Sequence, residues 1–287
     1  MNICINDKPA DITLNTEKTL GDVLAGIELW ISPGGNRIHR VAVNGRDIPG
    51  DDLAKEFSME IKDIKKLDID VSSYRELAAE ALISLHDTCS LYEQASFEDR
   101  SAVIKIWENS AAVRFLQSDI PDIYELAAGT FSGTGLTTTV LAALIEERLR
   151  EITDPVHVIG SFDEPVKNIT ERMEELPLDM QTGKDQRAAE TIQLFSGIGE
   201  KLFRIFYMLK KEGLSLDSFI VDDFPVRTFI EEFNAVLSEL SAAYENRDTV
   251  LVGDLSEYEL APRLLKFFLA LKKSLEKPLS PVPDAIQ

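Results

Sequence analysis

The chain has 287 residues, of which 44% are hydrophobic and 28% charged, and its 50 acidic and 30 basic side chains leave a net charge of −20. Such a surface repels the phosphates of nucleic acids and anionic lipids, so no nucleic acid is expected as a partner. No apolar run reaches the roughly 18 residues of a membrane-spanning helix, and Asp7 and Asp11 fall where a secretory leader keeps its apolar stretch, so a cytoplasmic protein with no membrane partner is expected.

The first seventy residues alternate and turn often. Asn2 to Asn6 reads as a strand, Asp7-Lys8-Pro9 as a turn, and Ala10 to Leu14 as the returning strand. Thr19 stands where an N-cap belongs, with Asp22 at the acid position of a capping box. Leu20, Val23, Leu24, Ile27 and Trp30 then follow at helical spacing until Pro33-Gly34-Gly35-Asn36 ends the helix. Arg40 to Val43 is a strand, Asn44-Gly45 a hairpin turn into a second short strand, and Leu67 to Val71 a last alternating strand.

In the stretches MNICINDKPADI, TLGDVLAGIEL and VAVNGRDIP this segment resembles the thiamine and molybdopterin sulfur carriers. The resemblance covers residues 1 to 71 and implies a β-grasp, the ubiquitin-like fold in which a mixed sheet wraps one helix. That family's chemistry requires a free C-terminal Gly-Gly, whose carboxylate is adenylated. Here Val71 runs on into Ser72-Ser73-Tyr74, and the adjacent pair Gly34-Gly35 lies between helix and strand. The resemblance therefore implies the scaffold without the activated end.

From Tyr74 onward the period becomes helical. Leu77, Ala81, Leu85, Cys89 and Tyr92 form one stripe, and Ile104, Trp107, Ala111 and Phe115 a second. Leu141, Leu144, Ile145, Leu149 and Ile152 form a third. A long helix is expected from about Lys184 to Lys211, with Ile192, Phe195, Leu202, Phe206 and Leu209 inward and Gly213 beyond its end. Phe229, Phe233, Leu237, Leu240 and Tyr244 line the next, and a final helix spans about Thr249 to Leu275, interrupted by Pro262. No segment of period two stands out after residue 74. Residues 1 to 74 carry 13 acids and 9 bases, so the helical part holds most of the negative charge.

Three stretches invite chemistry. GTFSGTGLTTT, residues 129 to 139, has the glycines of a phosphate loop, but Gly135 stands where a Walker lysine would. It reads as an interhelix loop leading to a threonine-capped helix. DMQTGKDQRAAETI, residues 179 to 192, offers Lys184 and Arg187 to a partner carboxylate; within the chain, Thr182 or Asp185 caps the helix and Arg187 lies on its wet face. VGDLSEYELAPRLLKF, residues 252 to 267, sets Asp254, Glu257 and Tyr258 on one helix face just before Pro262, whose kink can shape a groove. No nucleophile–base pair stands out, and Cys4, Cys89, His39, His86 and His157 have no metal-ligand spacing, so no catalytic residue, metal or cofactor is expected.

The sequence thus describes an α+β protein, with a β-grasp domain over residues 1–73, an all-α helical bundle over 74–277 and a Pro-rich flexible tail over 278–287. The expected function is a non-enzymatic protein-interaction module, adaptor or chaperone-like, with the β-grasp as docking domain. Its protein partner, basic or amphipathic and helical, would meet Lys184, Arg187, Asp254, Glu257, Tyr258 and Pro262. Two alternatives stay open: an enzyme with a site between the domains, and a homo-oligomeric structural protein.

Overall fold

A computed structural model describes residues 1–276; the expected tail lies outside the described residues. The chain opens with β1 (Asn2–Ile5) and β2 (Lys8–Pro9). Between them Asn6 and Asp7 hold the two left-handed positions of a tight turn, φ 49° and 62°, which short polar side chains tolerate. The return strand is therefore Lys8–Pro9, where Ala10 to Leu14 was expected, and Pro9, with no N–H to offer, suits a sheet edge. Asn6 also clamps the sheet, since its side chain donates to the Val71 carbonyl at 3.0 Å and accepts from the Val71 amide at 2.8 Å.

Helix α1 (Leu20–Ile31) starts with the expected capping box: Thr19 Oγ1 accepts from the Asp22 amide, and the Asp22 carboxylate accepts from the Thr19 amide. Leu20, Val23, Leu24 and Ile27 face inward as their spacing requires, but Trp30 does not. It is 40% exposed, because the next inward position after Ile27 is one full turn on, at Ile31. Next come β3 (Asn36–Val43), β4 (Arg46–Ile48), a short helix α2 (Gly50–Glu56) that the sequence pattern does not announce, and β5 (Lys66–Ser73). The five strands form one mixed sheet in the order β2-β1-β5-β3-β4, with β1 and β5 parallel at its centre and the other pairs antiparallel. The apolar side of α1 joins Ile3, Ile5, Val41, Val43, Leu67 and Ile69 in a single core.

Helices α3 (Tyr74–Gln94), α4 (Arg100–Glu108), α5 (Ala111–Asp119), α6 (Pro121–Phe131) and α7 (Thr138–Thr153) follow the sheet. The stripe Ile104, Trp107, Ala111, Phe115 is not one helix. Ser110 Oγ accepts from the Val113 amide and starts α5 in a new register, which turns Val113 and Leu116 inward and leaves Ala111 exposed. The chain then runs through α8 (Pro155–Gly160), α9 (Asp163–Gln181), α10 (Asp185–Lys211), β6 (Ile220–Val221), β7 (Phe224–Pro225), α11 (Val226–Glu245) and α12 (Thr249–Asp254). A π-turn over Leu255–Leu260 leads into α13 (Ala261–Leu275). The β6–β7 hairpin is a further departure from the expected all-helical remainder. Asp222 and Asp223 (φ 53° and 69°) take the left-handed positions there, in a segment too short for a period to register.

The described residues form two compact units. One comprises Met1–Thr153 with Lys211–Gly213, the other Asp154–Lys210 with residues 214–276. The sheet ends at Ser73 and the helices begin at Tyr74. Strand β5 passes straight into α3, where Ser73 and Glu76 form a capping box and Tyr74 is buried against Phe115, ring centroids 5.7 Å apart. In the second unit Phe203, Phe206, Phe219 and Phe229 all lie within 6.3 Å, centroid to centroid, of the buried Phe267.

Helices α9 and α12 approach so closely at Gly253 that a Cβ there would lie 2.7 Å from Cγ of Pro177. Gly253→Ala should destabilise the chain by about 1–3 kcal/mol through overpacking, against the roughly 1 kcal/mol that alanine gains in a helix. Pro177→Ala in the same chain should recover part of the loss. Thermal melts check the pair; a Gly253→Ala variant that melts higher than the parent contradicts the close contact.

Candidate functional site

The last helix carries the best candidate surface. Asp248 caps α12, accepting from the Leu251 amide at 3.0 Å. Val252, Leu255, Leu260, Leu264, Phe267, Phe268 and Leu271 then bury one side of the α12–π–α13 rod. The expected interruption at Pro262 takes a specific form. A proline inside an α-helix has no N–H and crowds the carbonyl four residues back. Just ahead of it the chain widens into the π-turn, with the Ala261 amide on the Ser256 carbonyl, five residues back. The rod is re-registered and not broken.

Opposite the buried side stand Asp254, Tyr258, Leu265, Leu269 and Lys273, with Tyr258 64%, Leu265 38% and Leu269 53% exposed. Pro262 and Glu257 are half-buried. Steps of four residues drift around an α-helix by about 40° each. Each residue of a π-turn advances less than in an α-helix, which takes back that drift and brings Asp254 and Lys273 onto one line. Hydrogen bonding to Glu257, then the charges of Glu257 and Asp254, push the Tyr258 phenol above its usual value. Asp254 is exposed to solvent. The group therefore offers charge, an aromatic ring and apolar area, the ingredients of a contact surface.

Lys184 and Arg187 lie elsewhere in the same unit, at the turn from α9 into α10. There they meet Asp179, whose side chain is 2% exposed. Its Oδ1 accepts from Lys184 Nζ at 3.3 Å and Arg187 Nη1 at 3.4 Å, and Arg187 Nε is 3.2 Å from Oδ2. Arg187 also pairs with Glu175. The carboxylate that these cations answer is thus one of the chain's own. Thr182 caps backwards, its Oγ1 donating to the Leu178 carbonyl at 2.7 Å.

The loop of residues 129–139 closes on itself: the Thr134 and Gly135 amides both donate to the Gly129 carbonyl, at 3.0 and 2.8 Å. A Cβ on Gly135 would lie 2.7 Å from the Gly129 carbonyl carbon, so this glycine serves the tight turn. Thr137 Oγ1 accepts from the Val140 amide at 3.3 Å, the threonine cap that the sequence suggests. The Thr138 and Thr139 hydroxyls donate to Glu93 Oε1 at 2.5 and 3.2 Å, so an internal carboxylate already stands where a phosphate would.

A polar cluster that sequence reasoning missed lies in the first unit. Asp119 Oδ1 is 3.1 Å from Arg37 Nη1 and 3.0 Å from Lys211 Nζ. Arg75 grips Glu212 with two hydrogen bonds of 2.7 Å, and the Arg37 guanidinium lies over the Tyr74 ring at 5.4 Å. Gly213 (φ +95°) makes this possible, since a Cβ there would lie 2.3 Å from the Pro33 carbonyl oxygen. The ion-paired partners are 82 to 137 residues apart in sequence, and no local pattern marks them. The cluster is internally satisfied and holds the fold.

A family model described as TP0873 N-terminal domain matches residues 1–73, ending with β5. One described as a domain of unknown function (DUF8042) matches residues 157–268, from within α8 to within α13. Neither is a sulfur-carrier model. No curated protein and no solved structure matches the chain. Among the described residues no helix is long and apolar enough to cross a membrane.

Burial alone would raise the Asp119 carboxyl; hydrogen bonds from Ser118 and Lys211, with the charges of Arg37 and Lys211, outweigh it and hold the group below the usual carboxylate range. A carboxyl depressed in the fold contributes stability above its unfolded value, near 3.9, and loses that contribution as pH falls through its folded value. Asp119→Asn should therefore cost about 1–3 kcal/mol at pH 7, with a smaller gap from the parent at pH 3. Urea unfolding at both pH values checks this, and equal gaps would contradict it.

Proposed function

We propose that this protein is a non-enzymatic interaction module, adaptor or chaperone-like, whose last helix presents a docking surface for a partner helix. The carrying observation is the solvent side of the α12–π–α13 rod. Tyr258, Pro262, Leu265 and Leu269 run along it at spacings of four, three and four residues, with Asp254 and Glu257 at one end. That rhythm is the seam of a helix pair. The partner that fits is amphipathic, with a basic residue placed to meet Asp254. Apolar contact supplies most of the affinity, and the carboxylates steer the encounter.

The mixed sheet of residues 1–73 is, in this reading, a β-grasp serving as a second docking domain. What supports it is the strand order β2-β1-β5-β3-β4, with a parallel central pair and one helix packed against the sheet. The continuation of β5 into α3 leaves no free carboxylate at this point for activation.

A synthetic amphipathic helix with a leucine seam and lysines on its flanks should bind the full chain better than a scrambled peptide of the same composition. Added salt should slow its association more than it speeds dissociation. Asp254→Asn with Glu257→Gln should weaken binding about two- to fivefold at an unchanged melting temperature. Pro262→Ala should raise the melting temperature and weaken binding, because a regular helix turns Tyr258 out of line. Equal binding of the scrambled peptide, or indifference to all these changes, would overturn the docking reading.

A further inference from the structure

The stripe on the last helix has a property that a surface for an unrelated partner does not require: it is complementary to itself. Its members in order are Asp254, Tyr258, Pro262, Leu265, Leu269 and Lys273. Turned end for end about a point between Pro262 and Leu265, Asp254 falls opposite Lys273, Tyr258 opposite Leu269 and Pro262 opposite Leu265. All three pairings hold in one register. The acid is at one end, the base at the other, and apolar side chains lie between.

Both terminal charges are available. Among the described residues neither the Asp254 carboxylate nor the Lys273 ammonium has an ion-pair or hydrogen-bond partner. Their neighbours differ: Arg263 is engaged by Glu232 and Glu259, Lys266 by Asp222, and Lys272 by Asp163. The π-turn holds the stripe to one line over the twenty residues from Asp254 to Lys273, without which these two would point to different sides.

We infer that the occupant of this surface is a second copy of the chain, paired antiparallel through the α12–π–α13 rod about a two-fold axis near residues 263–264. Such an interface is isologous, each contact occurring twice. In each half Asp254 of one copy faces Lys273 of the other, and the Tyr258 ring packs on Leu269. One helix pair of this length is a small interface, of the class that associates reversibly. The inference rests on the docking reading above and names its occupant.

Sedimentation velocity on the full chain over rising concentration tests it. The mass should move from 32.0 kDa towards twice that value. Leu269→Glu changes an exposed side chain and should abolish association without lowering the melting temperature. Asp254→Lys and Lys273→Asp should each weaken association about tenfold, and a chain carrying both should recover most of the loss, because the swap restores each facing pair. A chain monomeric at every concentration, association indifferent to Leu269→Glu, or a double variant no better than its parents would overturn the inference. So would a monomeric full chain that dimerises only after removal of residues 277–287, which would give the surface to that segment. If the chain stays monomeric yet binds the lysine-bearing peptide, the inference falls and the docking reading stands. Loss of both removes both.

Discussion

The rotation of one helix about its own axis governs what the second unit shows to solvent, and Phe267 fixes that rotation. Its ring sits among Phe203, Phe206, Phe219 and Phe229, supplied by α10, the approach to β6, and α11. Turning α13 by even one residue's angle would pull Phe267 out of this cluster and carry Phe268, Leu264 and Leu271 with it. Burial of side chains of this kind is worth on the order of 1.5–3 kcal/mol each, so the orientation is strongly preferred. With one side pinned, the opposite side is determined. Tyr258, Leu265 and Leu269 are exposed because the residues between them are required inside.

Pro262 and Gly253 refine that geometry. The glycine lets α12 approach Pro177 of α9, and the proline is met by a π-turn instead of a break. Irregular helix turns of this kind are retained where they re-aim side chains. Here the turn aligns an acid, a tyrosine, two leucines and a lysine along one rod.

Much of the fold was legible in the sequence because local rules decide it. The capping box at Thr19 and Asp22, the hairpin at Asn44-Gly45, the long helix up to Lys211 and the span of the last helix each follow from spacing and turn chemistry. Failures came where a register is reset by one or two residues. Asn6-Asp7 turned the chain before Pro9, Ser110 restarted a helix within an apparent stripe, and Asp222-Asp223 made a hairpin too short to show a period. The site divides in the same way. Asp254, Glu257, Tyr258 and Pro262 share one helical segment and could be read together, and Leu265, Leu269 and Lys273 join them only once burial shows which side of the rod faces solvent. Lys184 and Arg187 were visible as cations, but their pairing with Asp179 depends on how α9 ends. The cluster of Arg37, Arg75, Asp119, Lys211 and Glu212 joins residues far apart in the chain, and pairwise spacing carries no trace of it.

An antiparallel pairing makes a demand that no other arrangement shares: the separation between equivalent residues of the two copies must grow with distance from the axis. Spin labels placed singly at the exposed positions 266 and 276, outside the proposed contact, read this directly, since the chain's own thiols, Cys4 and Cys89, are buried. With a rise of 1.5 Å per residue and helix axes 8–10 Å apart, labels at 276 should lie about 39 Å apart and those at 266 about 12 Å apart. Equal short separations at both positions would mean parallel pairing, and absence of intermolecular coupling would mean none. Either result would contradict the account.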